Sequence, residues 1–263
     1  MNGIKAKLDI IDSLKKELDG LRPLQPEAVQ SLKTLFDIEF TYNSTAIEGN
    51  TFSYQETKIV LLDGITIGGK SVREHLEIIN HKEAIDYIEE LSCKKTTEMS
   101  RTDIFNIHSL ILKGIDSKNA GKYRTVPVYV LLRNGNQNSF CDPLLIADEM
   151  DVFFNWLFSE KAEKFVPIHP LITAAEAHMR FVSIHPFIDG NGRTARLIMN
   201  LLLLQDGYVP VIIKNKDREK YLDSIELWQN EDKKEVFYNL VTDYEKESLE
   251  LYLKTVRDKI IWK

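Results

Sequence analysis

The segment 193–205 constrains the fold more than any other part of the chain. Leu197, Ile198, Met199, Leu201, Leu202, Leu203 and Leu204 leave it apolar nearly all round. A helix without a polar face has to be enclosed by other elements. The sequence supplies amphipathic helices to enclose it. Ile4, Leu8, Ile11, Leu14 and Leu18 recur at spacings of three and four, which predicts a helix over the first twenty residues, stopped at Gly20. A connector with Pro23 and Pro26 follows, and a second helical pattern runs from Glu27 through Leu32, Leu35 and Phe36 towards Ile47, with Gly49 placed to end it. Ser53-Tyr54-Gln55-Glu56 reads as a capping box opening the next helix. Residues 73–91 and 102–112 carry two more helical patterns, Pro170 stands where the first residue of another belongs, and two charged amphipathic helices fill 217–263. One β-rich run interrupts them, Val126-Pro127-Val128-Tyr129-Val130-Leu131-Leu132, followed by Arg133-Asn134-Gly135-Asn136, a hairpin signal. The expected fold is mainly all-α, a helical bundle with one β-hairpin.

Charge and cysteine usage exclude several function classes. Lys and Arg total 34 against 40 Asp and Glu, a net charge of −6, so the whole-molecule field attracts neither nucleic acid nor an anionic membrane. Cys93 and Cys141 form no CxxC pair, which argues for a reducing compartment and against a structural zinc site. The amino-terminal residues lack the apolar run of a signal peptide, and no stretch reaches 18 uninterrupted apolar residues. A cytoplasmic location without membrane contact is expected.

The chemistry concentrates in His185-Pro186-Phe187-Ile188-Asp189-Gly190-Asn191-Gly192-Arg193-Thr194-Ala195-Arg196. This segment joins two predicted helices. Gly190, Asn191 and Gly192 allow the backbone to turn successive amides into one concavity, at a helix N-terminus that already favours an anion. Arg193 and Arg196 share a face of the first turn, where cations oppose the helix dipole. Two of them beside a glycine nest point to a polyphosphate, which guanidinium forks bind well. Asp189 beside that anion makes sense if it holds a cation such as Mg²⁺. His185 titrates near neutrality, as a general base requires. A plain helix–loop–helix turn explains the glycines but not the two arginines, the aspartate and the histidine together. A Walker P-loop is excluded because no Gly-Lys-Ser/Thr follows. Phe187 is expected to anchor the loop in the core.

This segment matches the signature HPFx[DE]GNGRxxR at every defining position, and the chain therefore resembles the Fic family. Ala120-Gly121-Lys122-Tyr123-Arg124 with the β-run looks like that family's flap. The resemblance implies a protein adenylyltransferase that moves AMP from ATP to a Ser, Thr or Tyr hydroxyl of a target protein. It implies that His185 deprotonates the hydroxyl and that Asp189 holds Mg²⁺ (or Mn²⁺). Gly190, Asn191, Gly192, Thr194 and Ala195 would line the phosphates, with Arg193 and Arg196 on the β- and γ-phosphates. Val128, Tyr129, Val130 and Leu131 are implied neighbours of the nucleotide on a flap strand that docks the target; the bland alternative is a hairpin that only covers the core. Tyr221, Leu222 and Asn230 fall where the family contacts adenosine, and equally suit core and cap positions.

Ser44-Thr45-Ala46-Ile47-Glu48-Gly49 resembles the family's inhibitory motif [ST]xxxE[GN]. Glu48 faces the negative end of its helix dipole, the wrong end for an acid. It reads either as a solvated glutamate or, with Ser44, as an inhibitory element that pairs with Arg196. The implied organisation is an N-terminal helical region at 1–98 with the inhibitory helix at about 27–49, a core at 99–245 with flap at about 121–143, and a C-terminal helix at 246–263. Self-modification and homo-oligomerisation are further expectations. Two other functions use the same residues: a phosphodiesterase removing AMP from a modified protein, and a nucleotide-binding regulator without turnover. His75, His81, His108, His169 and His178 show no metal-ligand spacing and read as packing or surface residues.

Overall fold

The computed structural model describes residues 2–131, 137–158 and 169–258. In chain order these hold α1 (Asn2–Gly20), α2 (Pro26–Ile47), α3 (Tyr54–Asp63), α4 (Val72–Leu91), α5 (Arg101–Ile111), β1 (Tyr129–Leu131), β2 (Gln137–Ser139), α6 (Ile146–Leu157), α7 (Pro170–Ile184), α8 (Asn191–Gln205), α9 (Arg218–Glu231) and α10 (Lys234–Asp258). The fold is mainly helical, as the periodicity predicts. The chain divides into two compact units, one made of Met1–Lys82 and Asp206–Lys263, the other of Glu83–Gln205. Among the described residues no helix is long and apolar enough to cross a membrane.

In the first unit, α1 and α10 pack together and contribute the buried residues Ile11, Leu18, Leu249 and Leu253. Ion pairs Lys7–Asp243 and Arg257–Glu17 join the same two helices. Both are solvated, so they stabilise little compared with the apolar contact. α3 opens in the expected capping box: the Glu56 amide donates to Ser53 Oγ at 3.2 Å and the Ser53 amide donates to Glu56 Oε2 at 2.7 Å. α2 ends in a Schellman motif, with Gly49 at φ +101° and the amides of Gly49 and Asn50 donating to the carbonyls of Ala46 and Thr45 at 3.0 and 3.1 Å.

In the second unit, α8 is the central element. Its residues from Arg193 to Leu203 are all buried, and α5 and α7 pack against it, with α6 on α7. Truncating one of its leucines, such as Leu201, would cost roughly 2–5 kcal/mol. The strand expected over 126–132 begins later than its composition suggests. Among the described residues Tyr129, Val130 and Leu131 pair, antiparallel, with Ser139, Asn138 and Gln137, and the Phe140 amide donates to the Val128 carbonyl at 3.5 Å. Pro127 has no amide to donate, and the Val126 carbonyl accepts from Arg124 Nη1 at 2.9 Å instead of from a strand. The expected turn Arg133-Asn134-Gly135-Asn136, with Leu132, lies outside the described residues, as does the stretch 259–263 expected to complete the C-terminal helix.

Candidate active site

The site is built where α7 ends and α8 begins. Pro170 occupies the first position of α7, and His169 caps that helix, its Nδ1 accepting from the Leu171 amide at 3.1 Å. α7 stops at His185, which takes the left-handed conformation (φ 52°, ψ 58°) while its amide still donates to the Phe181 carbonyl at 3.0 Å. Few non-glycine residues sit there, and the surroundings must hold this one in place. The His185 ring stacks on Phe140, centroids 3.8 Å apart and planes within 16°. His185 Nδ1 lies 3.4 Å from the Val182 carbonyl. A carbonyl only accepts, so the tautomer that satisfies this contact carries its proton on Nδ1 and its lone pair on Nε2.

The loop from His185 to Asn191 is fixed from three sides. Phe187 is completely buried, its ring stacked on His108 and set edge-on to Phe105. Asn191 clips the loop to the helix: its Oδ1 accepts from the Phe187 amide at 3.0 Å, and its Nδ2 donates to the Phe187 carbonyl at 2.8 Å. The Asn191 side chain therefore holds the loop's shape, and the anion-facing capacity at this position belongs to backbone amides. His108 accepts on Nδ1 from the Gly121 amide at 2.9 Å, so the proton sits on Nε2, which donates to the Asp189 carbonyl at 2.9 Å. Burial pushes the His108 pKa down to about 4, against the smaller pull of the Asp189 carbonyl, and keeps the ring neutral.

Gly190 makes the bend at φ +78°, and an added Cβ would meet Ile111 Cγ2 at 3.2 Å and the His108 ring at 3.4 Å. Beyond it the first amides of α8 have no intrahelical partner and point to the positive end of the dipole. Asp189 Oδ1 accepts from the Gly190 amide at 2.6 Å and from Arg193 Nη2 at 3.1 Å. The Arg193 side chain is nearly buried and that of Asp189 is 43% exposed. Arg196, one turn further, is completely buried; burial holds His178 well below the ordinary histidine range, and the Arg196 charge adds to it. The neutral His178 adds no positive charge beside that guanidinium. Among the described residues no group of three or more His, Cys, Asp or Glu is arranged for a metal. A half-exposed carboxylate beside a helix N-terminus still suits Mg²⁺, which binds through one or two carboxylates together with phosphate oxygens and water.

All the residues of 185–196 thus come together in the second unit, with Val128, Tyr129 and Val130 on the hairpin whose second leg carries Phe140. Tyr129 and Val130 are exposed; the side chain of Leu131 lies outside the described residues. In the first unit Glu48 is exposed at the C-cap of α2, held by the Schellman backbone, whereas Ser44 is buried. Arg218 Nε donates to the Ile47 carbonyl at 2.7 Å and supplies the cation that this helix end favours. Tyr221 is buried with its ring against Phe237, while Leu222 and Asn230 are exposed on α9.

Sequence reasoning missed three participants. His108 reads as a packing histidine because its partners, Gly121 and Asp189, are remote in sequence. Arg124 is buried, its guanidinium donating to three backbone carbonyls around the site; no charge pattern signals that. Phe140 looks like any aromatic residue after a turn.

The Fic/DOC family model matches residues 98–203, which lie within the second unit. A protein from Aedes aegypti named protein adenylyltransferase Fic is 39% identical over 247 residues, covering 94% of this chain and 46% of its own length. The chain thus spans about half the length of the curated relatives it matches. The crystal structure of a Fic domain containing signaling protein from Bacteroides thetaiotaomicron aligns with a TM-score of 0.88 at 29% identity, over 96% of this chain and 98% of that one. Fic-1 from C. elegans (residues 134–508) aligns with a TM-score of 0.82 at 30% identity, over 95% and 71%.

Proposed function

The chain belongs to the Fic/DOC family, and from that premise we propose that it is a protein adenylyltransferase, transferring AMP from ATP to a Ser, Thr or Tyr hydroxyl of a protein. The observation that carries this reading is the junction of α7 and α8. A histidine ends one helix, and a glycine turn with two arginines opens the next. The name of the Aedes relative, protein adenylyltransferase, agrees with it.

The target hydroxyl gives its proton to His185 Nε2 as its oxygen bonds to the α-phosphorus. The bond from that phosphorus to the bridging oxygen breaks, and pyrophosphate leaves. The amides at the start of α8 and the guanidinium groups of Arg193 and Arg196 neutralise charge on the phosphates, so catalysis is mainly positioning and electrostatics. Asp189 would hold Mg²⁺, whose charge would further neutralise the phosphate oxygens when bound. The strand Tyr129–Leu131 has an edge to which an extended target segment can add by main-chain pairing. Glu48 is the proposed brake: its carboxylate competes with the γ-phosphate for Arg196. The support for the brake is the sequence motif and the fixed backbone at the end of α2.

The test is mass spectrometry of Glu48→Gly protein after incubation with ATP and Mg²⁺, using the chain itself as acceptor. The expected result is a gain of one AMP that is absent in the Glu48→Gly, His185→Ala double variant. A folded Glu48→Gly protein that labels neither itself nor any offered protein would overturn the reading. Release of AMP from an AMP-modified protein by the wild type, without transfer by the variant, would replace it with the reverse reaction.

A further inference from the structure

Arg124 is a buried cation that the chemistry above does not use. It is 4% exposed and lies just ahead of the hairpin. Its guanidinium donates to three backbone carbonyls in three different segments: Nε to His185 at 2.8 Å, Nη1 to Val126 at 2.9 Å, and Nη2 to Cys141 at 2.5 Å. Its own amide donates to the Pro186 carbonyl at 2.9 Å. Val126 precedes β1 and Cys141 follows β2, so one side chain grips both legs of the hairpin and the residue at which α7 ends. The gripped carbonyl at His185 belongs to a residue in the left-handed region, a conformation that needs outside support.

We propose that Arg124 is a positioning residue for AMP transfer, fixing the hairpin and the His185 backbone as one body so that a hydroxyl docked on the hairpin meets the imidazole in line. This rests on the adenylyltransferase reading of the site. Three carbonyls in different directions need a planar fork of donors, which guanidinium provides and an ammonium does not. Phe140 complements it, because the second leg of the hairpin also stacks on the His185 ring. Arg124 thus sets the backbone of His185 while Phe140 sets its ring. Burial lowers the Arg124 pKa, but an arginine has range to spare and stays charged.

The experiment uses Glu48→Gly protein as parent and measures self-labelling from α-labelled ATP. Arg124→Lys keeps the charge and the stem; Arg124→Gln keeps a planar amide with two donors; whichever melts as a folded protein is assayed. Turnover at saturating ATP should fall about 100-fold, the scale of a misplaced reacting group, while KM for ATP stays at the parent value. With ¹⁵N-labelled histidine, the His185 ring resonances should shift or split while those of His178 stay in place. Parental turnover would overturn the proposal, as would a loss matched by an equal rise in KM or unaltered His185 resonances. A parent that transfers no AMP sinks the adenylyltransferase reading alone, because the histidine resonances still report whether Arg124 holds His185.

Discussion

The imidazole of His108 lies flat on the ring of Phe187, centroids 3.6 Å apart and planes within 6° of each other. Its two nitrogens meanwhile join the amide of Gly121 to the carbonyl of Asp189. The stack fixes the loop anchor, and the hydrogen bonds require a neutral ring with its proton on Nε2. A second proton on Nδ1 would remove the acceptor that the Gly121 amide uses.

This makes acid sensitivity a property of the second unit. The folded His108 pKa is about 4 against an ordinary 6.5, so between those values the unfolded chain binds a proton that the folded chain refuses. Stability is therefore fully present above pH 6.5 and falls as pH drops towards 4, by about 3 kcal/mol from this residue. Urea unfolding from pH 7 to 4 should show a slope that is shallower in His108→Phe by about 3 kcal/mol over that range, the buried His178 supplying a remainder of the same sign; the variant starts lower because the Gly121 and Asp189 groups lose their partners. An equal slope in both proteins would show that another group is responsible.

Gly190→Ala tests the turn that starts α8. The position combines a left-handed φ of +78° with an Ile111 methyl 3.2 Å from where Cβ would stand and the His108 ring at 3.4 Å. The conformation alone costs an alanine about 1–2 kcal/mol, and the crowding adds to it. Thermal unfolding should show a loss of about 2–3 kcal/mol, and isothermal titration should show weaker ATP binding, because the amides of the first turn move with the loop. A variant as stable as the wild type would mean the loop relaxes freely there.

Much of this was legible in the sequence, for a physical reason. The enclosed α8, the Ser53–Glu56 capping box, the Gly49 terminator and Pro170 at the head of α7 all depend on residues of one short stretch of chain, and each appears where its pattern puts it. The anchoring role of Phe187 was also readable, because an aromatic residue inside a polar loop has few other uses. What escaped was decided by partners remote in the chain. The three carbonyls of Arg124 and the two partners of His108 lie up to 81 residues away, and backbone carbonyls leave no trace in residue types. The strand begins later than the β-rich run for the same reason, since the Val126 carbonyl goes to Arg124 and not to a strand.

Glu245 gives the first unit a pH response of opposite sign. It is completely buried on α10, and burial holds its carboxyl well above the usual range, against smaller pulls from the Val209 amide and the Lys15 ammonium. The folded chain retains a proton here that the unfolded chain gives up above about pH 4.5, so this residue's contribution declines as pH rises past that value. Glu245→Gln removes the titration while keeping the shape. Its stability relative to wild type should increase steadily from pH 5 to pH 8 in chemical denaturation. A constant difference across that range would show that the carboxyl is not held protonated.

Asn191 tests what gives the loop its shape. It is 2% exposed and serves both the amide and the carbonyl of Phe187. Asn191→Ala leaves two buried backbone groups without partners and should cost about 3 kcal/mol. Asn191→Asp keeps the acceptor for the Phe187 amide but turns a carboxylate oxygen towards the Phe187 carbonyl. The helix N-terminus favours that charge by at most about 1 kcal/mol, less than burying it beside a carbonyl costs, so the variant should be the weaker of the two at pH 8. Protonation restores a donor, and the deficit of Asn191→Asp against wild type should shrink as pH falls to 5. Taking that difference at each pH cancels the His108 contribution common to both proteins. A deficit independent of pH would mean the aspartate has swung out to solvent, and with it that the clip is not what gives the loop its shape.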